Sequence, residues 1–222
     1  MRAARTSTSR SASSTARATR CCTFRDRRAV PARIAATEPH RQEYAVTSND
    51  VAAQLRAHIR DIPDFPKPGI LFRDLTPLLA DASALALAID AMAEPFARDG
   101  VDSVLGTEAR GFIFGAAIAI RLGAGFVPAR KPGKLPYRTL DVSYELEYGT
   151  DTVQMHVDGV RKGQRVLVVD DLIATGGTAR ATVELARRSG GEVVGCSFLI
   201  ALDALGGADA LGVERVHSVL HY

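Results

Sequence analysis

Residues 166–178 read VLVVDDLIATGGT, and their types and spacing could do chemistry. Four apolar residues run straight into two adjacent carboxylates, Asp170 and Asp171. Carboxylates accept hydrogen bonds from sugar hydroxyls or sit beside a metal that accompanies them. Ala174, Thr175, Gly176, Gly177 and Thr178 follow, and a helix-like segment begins there. The glycines let the backbone approach a ligand closely. The threonines add hydroxyl donors, and the helix start turns unpaired N–H groups and its positive dipole end toward the same spot. The combination suits a phosphate beside a polyol. An acid at a strand end, or a glycine pair before a helix, carries little information alone; joined without a gap they are far more specific. Neither the G-x-x-x-x-G-K-[ST] nor the G-x-G-x-x-G pattern is present, so this is not one of the common nucleotide loops.

Two cationic groups accompany that segment. Arg110 lies in GTEARG, residues 106–111, between a strand-like and a helix-like stretch. An exposed loop arginine is ordinary, but a position at the carboxyl edge of a sheet favours an anion ligand, and the flanking Gly106 and Gly111 allow amide groups to turn inward. Arg130, Lys131 and Lys134 crowd a short loop containing Pro132 and Pro136. Charge clusters usually form a solvated face; this one sits where a strand ends. Of the five histidines only His217 and His221 are four residues apart, and they fall at the strand-like end of the chain rather than on a helix face, which favours structural or surface roles.

These groups need a sheet to hold them. The unbroken apolar run 166–169 predicts a strand buried on both faces, as in a parallel sheet, whose ligands bind outside the carboxyl ends of the strands. Residues 165–170, 193–202 and 215–220 read as core strands, with 101–105 and 126–129 before them. Val51, Leu55 and Ile59 mark a first helix that Ser48 or Asn49 could cap. Leu85, Ala88, Ile89, Met92 and Phe96 mark a second, with Pro95 ending or kinking it. A buried helix over 112–122 stops at Gly123, and another after Thr178 turns Ala179, Thr182, Val183 and Ala186 to one face before Gly190 and Gly191. Three prolines make 61–69 an ordered loop. Alternation over 142–148 and 152–157 predicts a projecting β-hairpin. The expected class is α/β, a doubly wound, mainly parallel sheet.

With 222 residues, one domain with appendages is expected. Residues 1–45 hold ten arginines against three acids, whereas 46–222 hold 18 Lys+Arg against 22 Asp+Glu. The net charge of +3 therefore belongs to the tail, and a nucleic-acid-binding body is not indicated. The tail, rich in Arg, Ser, Thr and Ala, is expected to be disordered. It reads as a transit peptide, a basic arm for polyanions, or translated sequence upstream of the true start; the third is preferred, because folded-looking sequence begins just after it. No stretch approaches the roughly 20 apolar residues of a membrane span. Cys21, Cys22 and Cys196 form neither a disulfide framework nor a metal set, which fits a reducing cytoplasm.

The joined acid–glycine segment resembles the phosphoribosyl pyrophosphate signature of the type I phosphoribosyltransferases. FRD (residues 72–74), GTEARGF (106–112), RKPGKLP (130–136), SYELEYG (143–149) and VVDDLIATGGT (168–178), in that order, resemble the bacterial adenine phosphoribosyltransferases. The resemblance covers residues 46–222 and implies the type I fold with a small hood and the projecting hairpin loop.

It also implies roles. Asp170 and Asp171 would contact the ribose hydroxyls, and Ala174 through Thr178 would wrap the 5′-phosphate. Arg110, Arg130, Lys131 and Lys134 would receive pyrophosphate, with Mg²⁺ held largely by the substrate's own oxygens. Leu71, Phe72, Arg73 and Leu172 would line the adenine site, Phe72 and Leu172 sandwiching the ring. Glu147, with Arg110, is the catalytic candidate: its carboxylate would manage the purine proton on a closing loop, although Glu145 and Glu147 also fit alternate outward positions of a hairpin. The implied reaction joins adenine N9 to C1′ of phosphoribosyl pyrophosphate through an oxocarbenium-like transition state, giving AMP. Relatives are typically homodimers. A xanthine or hypoxanthine/guanine phosphoribosyltransferase is the nearest alternative, and a non-catalytic phosphoribosyl pyrophosphate-sensing regulator a more distant one.

Overall fold

The structure is a computed structural model, and it describes residues 48–145 and 149–222, with side chains from Asp50 onward. Helix α1 (Ser48–Arg56) buries Leu55; the side chains of Ser48 and Asn49, its expected caps, lie outside the described residues. Strands β1 (Arg60–Pro63) and β2 (Leu71–Asp74) then pair antiparallel. Part of the expected proline loop is thus a strand. Pro63 closes a two-stranded edge, where the ladder bond it lacks is not required. Between the strands Asp64 adopts φ 56° and its carboxylate accepts the Gly69 N–H at 2.7 Å, a bond that fixes the turn.

Helix α2 (Thr76–Ala80) is too short to leave a periodic signal. Helix α3 (Ala82–Ala93) is capped by the Asp81 carboxylate, which accepts from Ala84 N–H. Pro95 sits in a 3₁₀ turn, residues 94–96, that ends the helical run as expected. Strand β3 (Ser103–Thr107) is wholly buried. Helix α4 (Gly111–Leu122) leads through Gly123 to β4 (Gly125–Ala129). The hairpin is β5 (Thr139–Glu145) and β6 (Thr150–His156), beginning three residues earlier than the alternation suggested. Strand β7 (Arg165–Ile173), helix α5 (Gly177–Arg188), β8 (Glu192–Ala201) and β9 (Val216–His221) complete the chain.

Five strands form a parallel sheet in the order β4-β3-β7-β8-β9. Helices α3 and α4 pack on one face, around Phe96, Phe114, Ile118, Leu167 and Val169. Helix α5 packs on the strands with Val183, Leu185 and Ala186 and carries the β5–β6 hairpin against its side. Ser197, buried in β8, donates to the Met92 carbonyl at 2.8 Å and so anchors α3 to the sheet. Helices on both faces explain why the central strands read as continuous apolar runs. Among the described residues no helix is long and apolar enough to cross a membrane.

Phe114 is completely buried between α4 and the sheet. Phe114→Ala should lower the unfolding free energy by about 3–5 kcal/mol, read from urea unfolding. A loss below about 1 kcal/mol would show that this layer collapses onto the gap.

Candidate active site

The strand order reverses between β3 and β7. The chain leaves β3 through α4 toward β4 on one side, and leaves β7 through α5 toward β8 on the other. At such a switch point a crevice opens beyond the carboxyl ends of the strands. Strand β3 pairs with β7 only as far as Gly106 opposite Val169, yet β7 continues to Ile173 against β8 alone. The sequence reading ended this strand at Asp170; the ten-residue β8 holds it straight for three residues more. Asp170 and Asp171 therefore stand on a rigid strand with one edge open to the crevice, rather than on a loop after it.

The opposite lip is the segment 107–110 and the start of α4. Its approach is close: a Cβ on Gly111 would lie 2.6 Å from Asp170 Oδ1 and 3.2 Å from Asp170 Cα. Only glycine fits there without displacing the carboxylate. Arg110 reaches back across the crevice, and its Nε lies 2.9 Å from Asp171 Oδ2. That is an ion-pair distance, but the donor geometry is not that of a hydrogen bond, so buried Oδ2 is left without one. Thr107 Oγ1 is the other buried side-chain atom lacking a partner among the described residues. Thr107 lies beside the Asp170 carboxyl, so it is the unbonded Asp171 Oδ2, at the Arg110 side of the crevice, that marks a place where a ligand supplies what the protein does not.

Asp170 accepts the Asp171 N–H at 2.8 Å. Burial, and then the neighbouring Asp171 charge, push the Asp170 carboxyl well above its ordinary 3.8. Two adjacent acids in a shielded place are costly unless hydroxyl donors or cations arrive.

The turn beyond them encloses a cavity of about 210 Å³ lined by Asp170, Leu172, Ala174, Thr175, Gly177 and Thr178. Gly176 takes φ 81°, and no side chain caps α5, so the first N–H groups of the helix are left for a ligand. Gly207, which the sequence reading passed over, braces the turn from behind. A Cβ there would fall 2.1 Å from the Ala174 carbonyl oxygen and 2.7 Å from Gly176 N. Its only trace in the sequence is the pair Gly206-Gly207, indistinguishable from an ordinary surface turn.

The cations divide. Arg130 Nε donates to Glu108 at 3.0 Å, and the Lys131 N–H reaches the same oxygen at 3.1 Å. Burial raises the Glu108 carboxyl, but these bonds outweigh it and hold the group below its ordinary value. Arg130 thus joins its loop to the segment 107–110. Lys131 turns to the hairpin, where its ammonium meets Asp151 and, at 3.2 Å, Tyr144 Oη. Lys134 is exposed. Thr178 Oγ1 donates to the same Tyr144 oxygen at 2.9 Å, so the hairpin, the cationic loop and the turn meet at one hydroxyl.

The β1–β2 pair reaches the crevice through Phe72, whose ring centre lies 5.6 Å from the Arg110 guanidinium carbon. Leu172 follows Asp171 on β7, and Leu71 is exposed on β2. The Arg73 side chain turns away, pairing with Asp61 and stacking at 4.0 Å over Tyr222, which leaves only its backbone for reading a base. Glu147 and its neighbours Leu146 and Tyr148 lie outside the described residues. Among the described residues no cluster of three or more His, Cys, Asp or Glu could hold a metal ion.

Comparison with known proteins places this geometry. The family model for the phosphoribosyl transferase domain matches residues 78–213. The adenine phosphoribosyltransferase of Rhodopirellula baltica is 60% identical over 168 residues, 76% of this chain and 82% of the relative. The chain belongs to the adenine phosphoribosyltransferases. The crystal structure of adenine phosphoribosyltransferase from Rhodothermus marinus is 54% identical, with a TM-score of 0.75 over 78% of this chain and 99% of that one. That from Saccharomyces cerevisiae, complexed with D-2,5-dideoxy-2,5-imino-altritol 1,6-bisphosphate and adenine, is 37% identical, with a TM-score of 0.74 over 78% and 99%. The parallel sheet flanked by helices is the type I phosphoribosyltransferase fold, as the motifs led one to expect.

Two outcomes follow for an adenine phosphoribosyltransferase built this way. Gly207→Ala should weaken binding of ribose 5-phosphate by roughly tenfold or more while leaving adenine binding within about twofold, by calorimetry, because the new methyl must displace the turn. Equal loss for both ligands would mean that Gly207 shapes the whole fold instead. The raised Asp170 carboxyl sets a pH dependence. In the ligand-free protein the cost of ionising it is absent below 3.8 and grows as pH rises through the folded value. Asp170→Asn should therefore be more stable than the parent at pH 7, with the advantage disappearing as pH falls toward 4, in urea unfolding at the two pH values. An Asn variant less stable at pH 7 would contradict this assignment.

Proposed function

We propose that the chain transfers the 5-phosphoribosyl group of phosphoribosyl pyrophosphate to N9 of adenine, forming AMP and pyrophosphate in purine salvage. The observation that carries the proposal is Asp170 lining the cavity of the glycine–threonine turn, while the next residue, Asp171, pairs with Arg110 and keeps a buried Oδ2 short of a hydrogen bond. Support for adenine comes from the relatives named above. In this reading the backbone N–H groups of Ala174 to Thr178 hold the 5′-phosphate, and Asp170 and Asp171 accept from the ribose hydroxyls. Arg110, beside the acids, stabilises the leaving pyrophosphate together with Lys131, Lys134 and Arg130, whose charges balance those released as the glycosidic bond breaks. Adenine lies between Phe72 and Leu172, its edge read by the backbone of Leu71 and Arg73. Fixing both reactants in line supplies much of the acceleration.

Glu147, on the segment joining β5 to β6, is the group assigned to the purine proton. The acid pair fits a divalent ion only at its margin, because two carboxylates are too few for a protein cage. Mg²⁺ carried on the substrate's own oxygens supplies neutralisation of the pyrophosphate charge. The same reading takes residues 46–222 as the catalytic domain and 1–45 as an extension outside it, in a cytoplasmic homodimer free of nucleic acid and membrane.

Turnover of purified protein with each purine, phosphoribosyl pyrophosphate and Mg²⁺ tests the assignment. AMP from adenine, with guanine, hypoxanthine and xanthine at least about 10²-fold poorer, is expected. Product from guanine and none from adenine would overturn it, and binding without any turnover would point to a sensor. Glu147→Gln should lower kcat by roughly 10²–10⁴ if it moves a proton in the transition state. A change confined to KM would reduce it to a binding group.

A further inference from the structure

Lys131 is the one member of its cationic group whose charge is tied to the hairpin. Its backbone neighbour is fixed first: Arg130 N–H donates to the Gln154 carbonyl at 2.8 Å, and Gln154 N–H returns the bond to Arg130 at 2.7 Å. The loop is thereby mounted on β6, three residues along from Asp151. Tyr144 stands directly opposite Asp151 in the β5–β6 register. Its hydroxyl donates to Asp151 Oδ2 at 3.2 Å while accepting from Lys131 Nζ at 3.2 Å and from Thr178 Oγ1 at 2.9 Å. Asp151 is held in turn by the Thr152 N–H at 2.7 Å. The Tyr144 ring is buried, and it lies where a Cβ on Gly177 would meet its Cδ2 at 3.0 Å. The network therefore rests on the first turn of α5 rather than floating in solvent.

A free lysine is among the most costly side chains to immobilise, because its four-carbon stem has many rotamers. An anion site that must first order such a lysine loses affinity to that entropy; one that keeps it ordered does not. We infer that Asp151 and Tyr144 are positioning residues of the transfer, holding the Lys131 ammonium beside the phosphate turn before the substrate anion arrives. The inference rests on the reading of Lys131 as an anion-binding cation. Hydrogen bonding to Lys131 also holds the Asp151 carboxyl below its ordinary value, so the acid stays charged toward the lysine. Neither Asp151 nor Tyr144 touches the crevice acids or the base side in the described structure. Their effect is expected on the phosphoribosyl substrate alone.

The test is calorimetric binding of phosphoribosyl pyrophosphate with Mg²⁺ and no purine, alongside steady-state kinetics, on the full chain. Asp151→Asn keeps the shape and removes the charge; Tyr144→Phe keeps the buried ring and removes the hydroxyl. Each should raise Kd and KM for phosphoribosyl pyrophosphate roughly threefold to tenfold, with KM for adenine and the melting temperature nearly unchanged. In a Lys131→Ala background Asp151→Asn should add less than about twofold, the mark of action through the lysine, whereas Tyr144→Phe also releases the Thr178 hydroxyl and serves only as the uncharged companion. Unaltered or tighter binding by Asp151→Asn, or an equal loss in the Lys131→Ala background, would overturn the inference. A parent protein that binds no phosphoribosyl pyrophosphate would instead overturn the functional reading beneath it.

Discussion

Two neighbouring carboxylates held in a partly dry crevice form the constraint on which the rest of this structure depends. Water would solvate them cheaply; a parallel sheet cannot. Strand β7 carries them past the end of β3, where one edge of the strand has lost its neighbour. Gly111 then presses against one acid and Arg110 approaches the other. The arrangement leaves a raised carboxyl on Asp170 and an unbonded oxygen on Asp171. Neither is a good solution for a resting protein. In the proposed reading both become good ones when a polyol with attached anions binds there, because hydroxyl protons would meet the acids and the anions would meet the arginine and the helix start. Stability has been given up where binding energy is wanted.

Everything around the pair serves to keep that crevice in shape. The buried layer of α3 and α4 fixes one lip, and α5 fixes the other. Gly207 closes the back of the 174–178 turn by backbone contact, where no side chain would fit. The hairpin and the cationic loop are stitched to the start of α5 through the Tyr144 hydroxyl. Helix α1 and strand β2 are tied to the end of the sheet by Tyr222, whose ring lies 4.5 Å from the Arg56 guanidinium and 4.0 Å from that of Arg73. Phe72, one residue away on β2, then meets Arg110 at the crevice. Strand β2 and the crevice acids are therefore connected by a short series of contacts rather than by one rigid element.

How much of this the amino-acid sequence discloses depends on the range of the interaction. The run VLVV before Asp170 announces a two-face-buried strand, since burial on both sides leaves no polar alternation. The small residues 174–178 announce a ligand turn, since their types are dictated locally. The hairpin is legible for the same reason, though its bounds shift by up to three residues. Strand β1 looks like loop in the sequence because prolines dominate residues 61–69, and nothing local shows that Pro63 closes an edge. The full length of β7 is not legible locally because it is set by pairing with β8, where Ile173 meets Ala201. Gly207 and the Glu108–Arg130 pair escaped notice because each depends on a partner more than twenty residues away. Arg130 and Lys131 look equivalent as neighbours in the chain, yet one spends its charge on Glu108 and the other on Asp151.

A crystal structure of the protein with AMP tests the central claim most directly. The 5′-phosphate is expected on the N–H groups of residues 174–178 and the ribose hydroxyls within hydrogen-bond distance of Asp170 and Asp171, with Asp171 Oδ2 now bonded. AMP bound elsewhere, with this crevice holding only solvent, would contradict it.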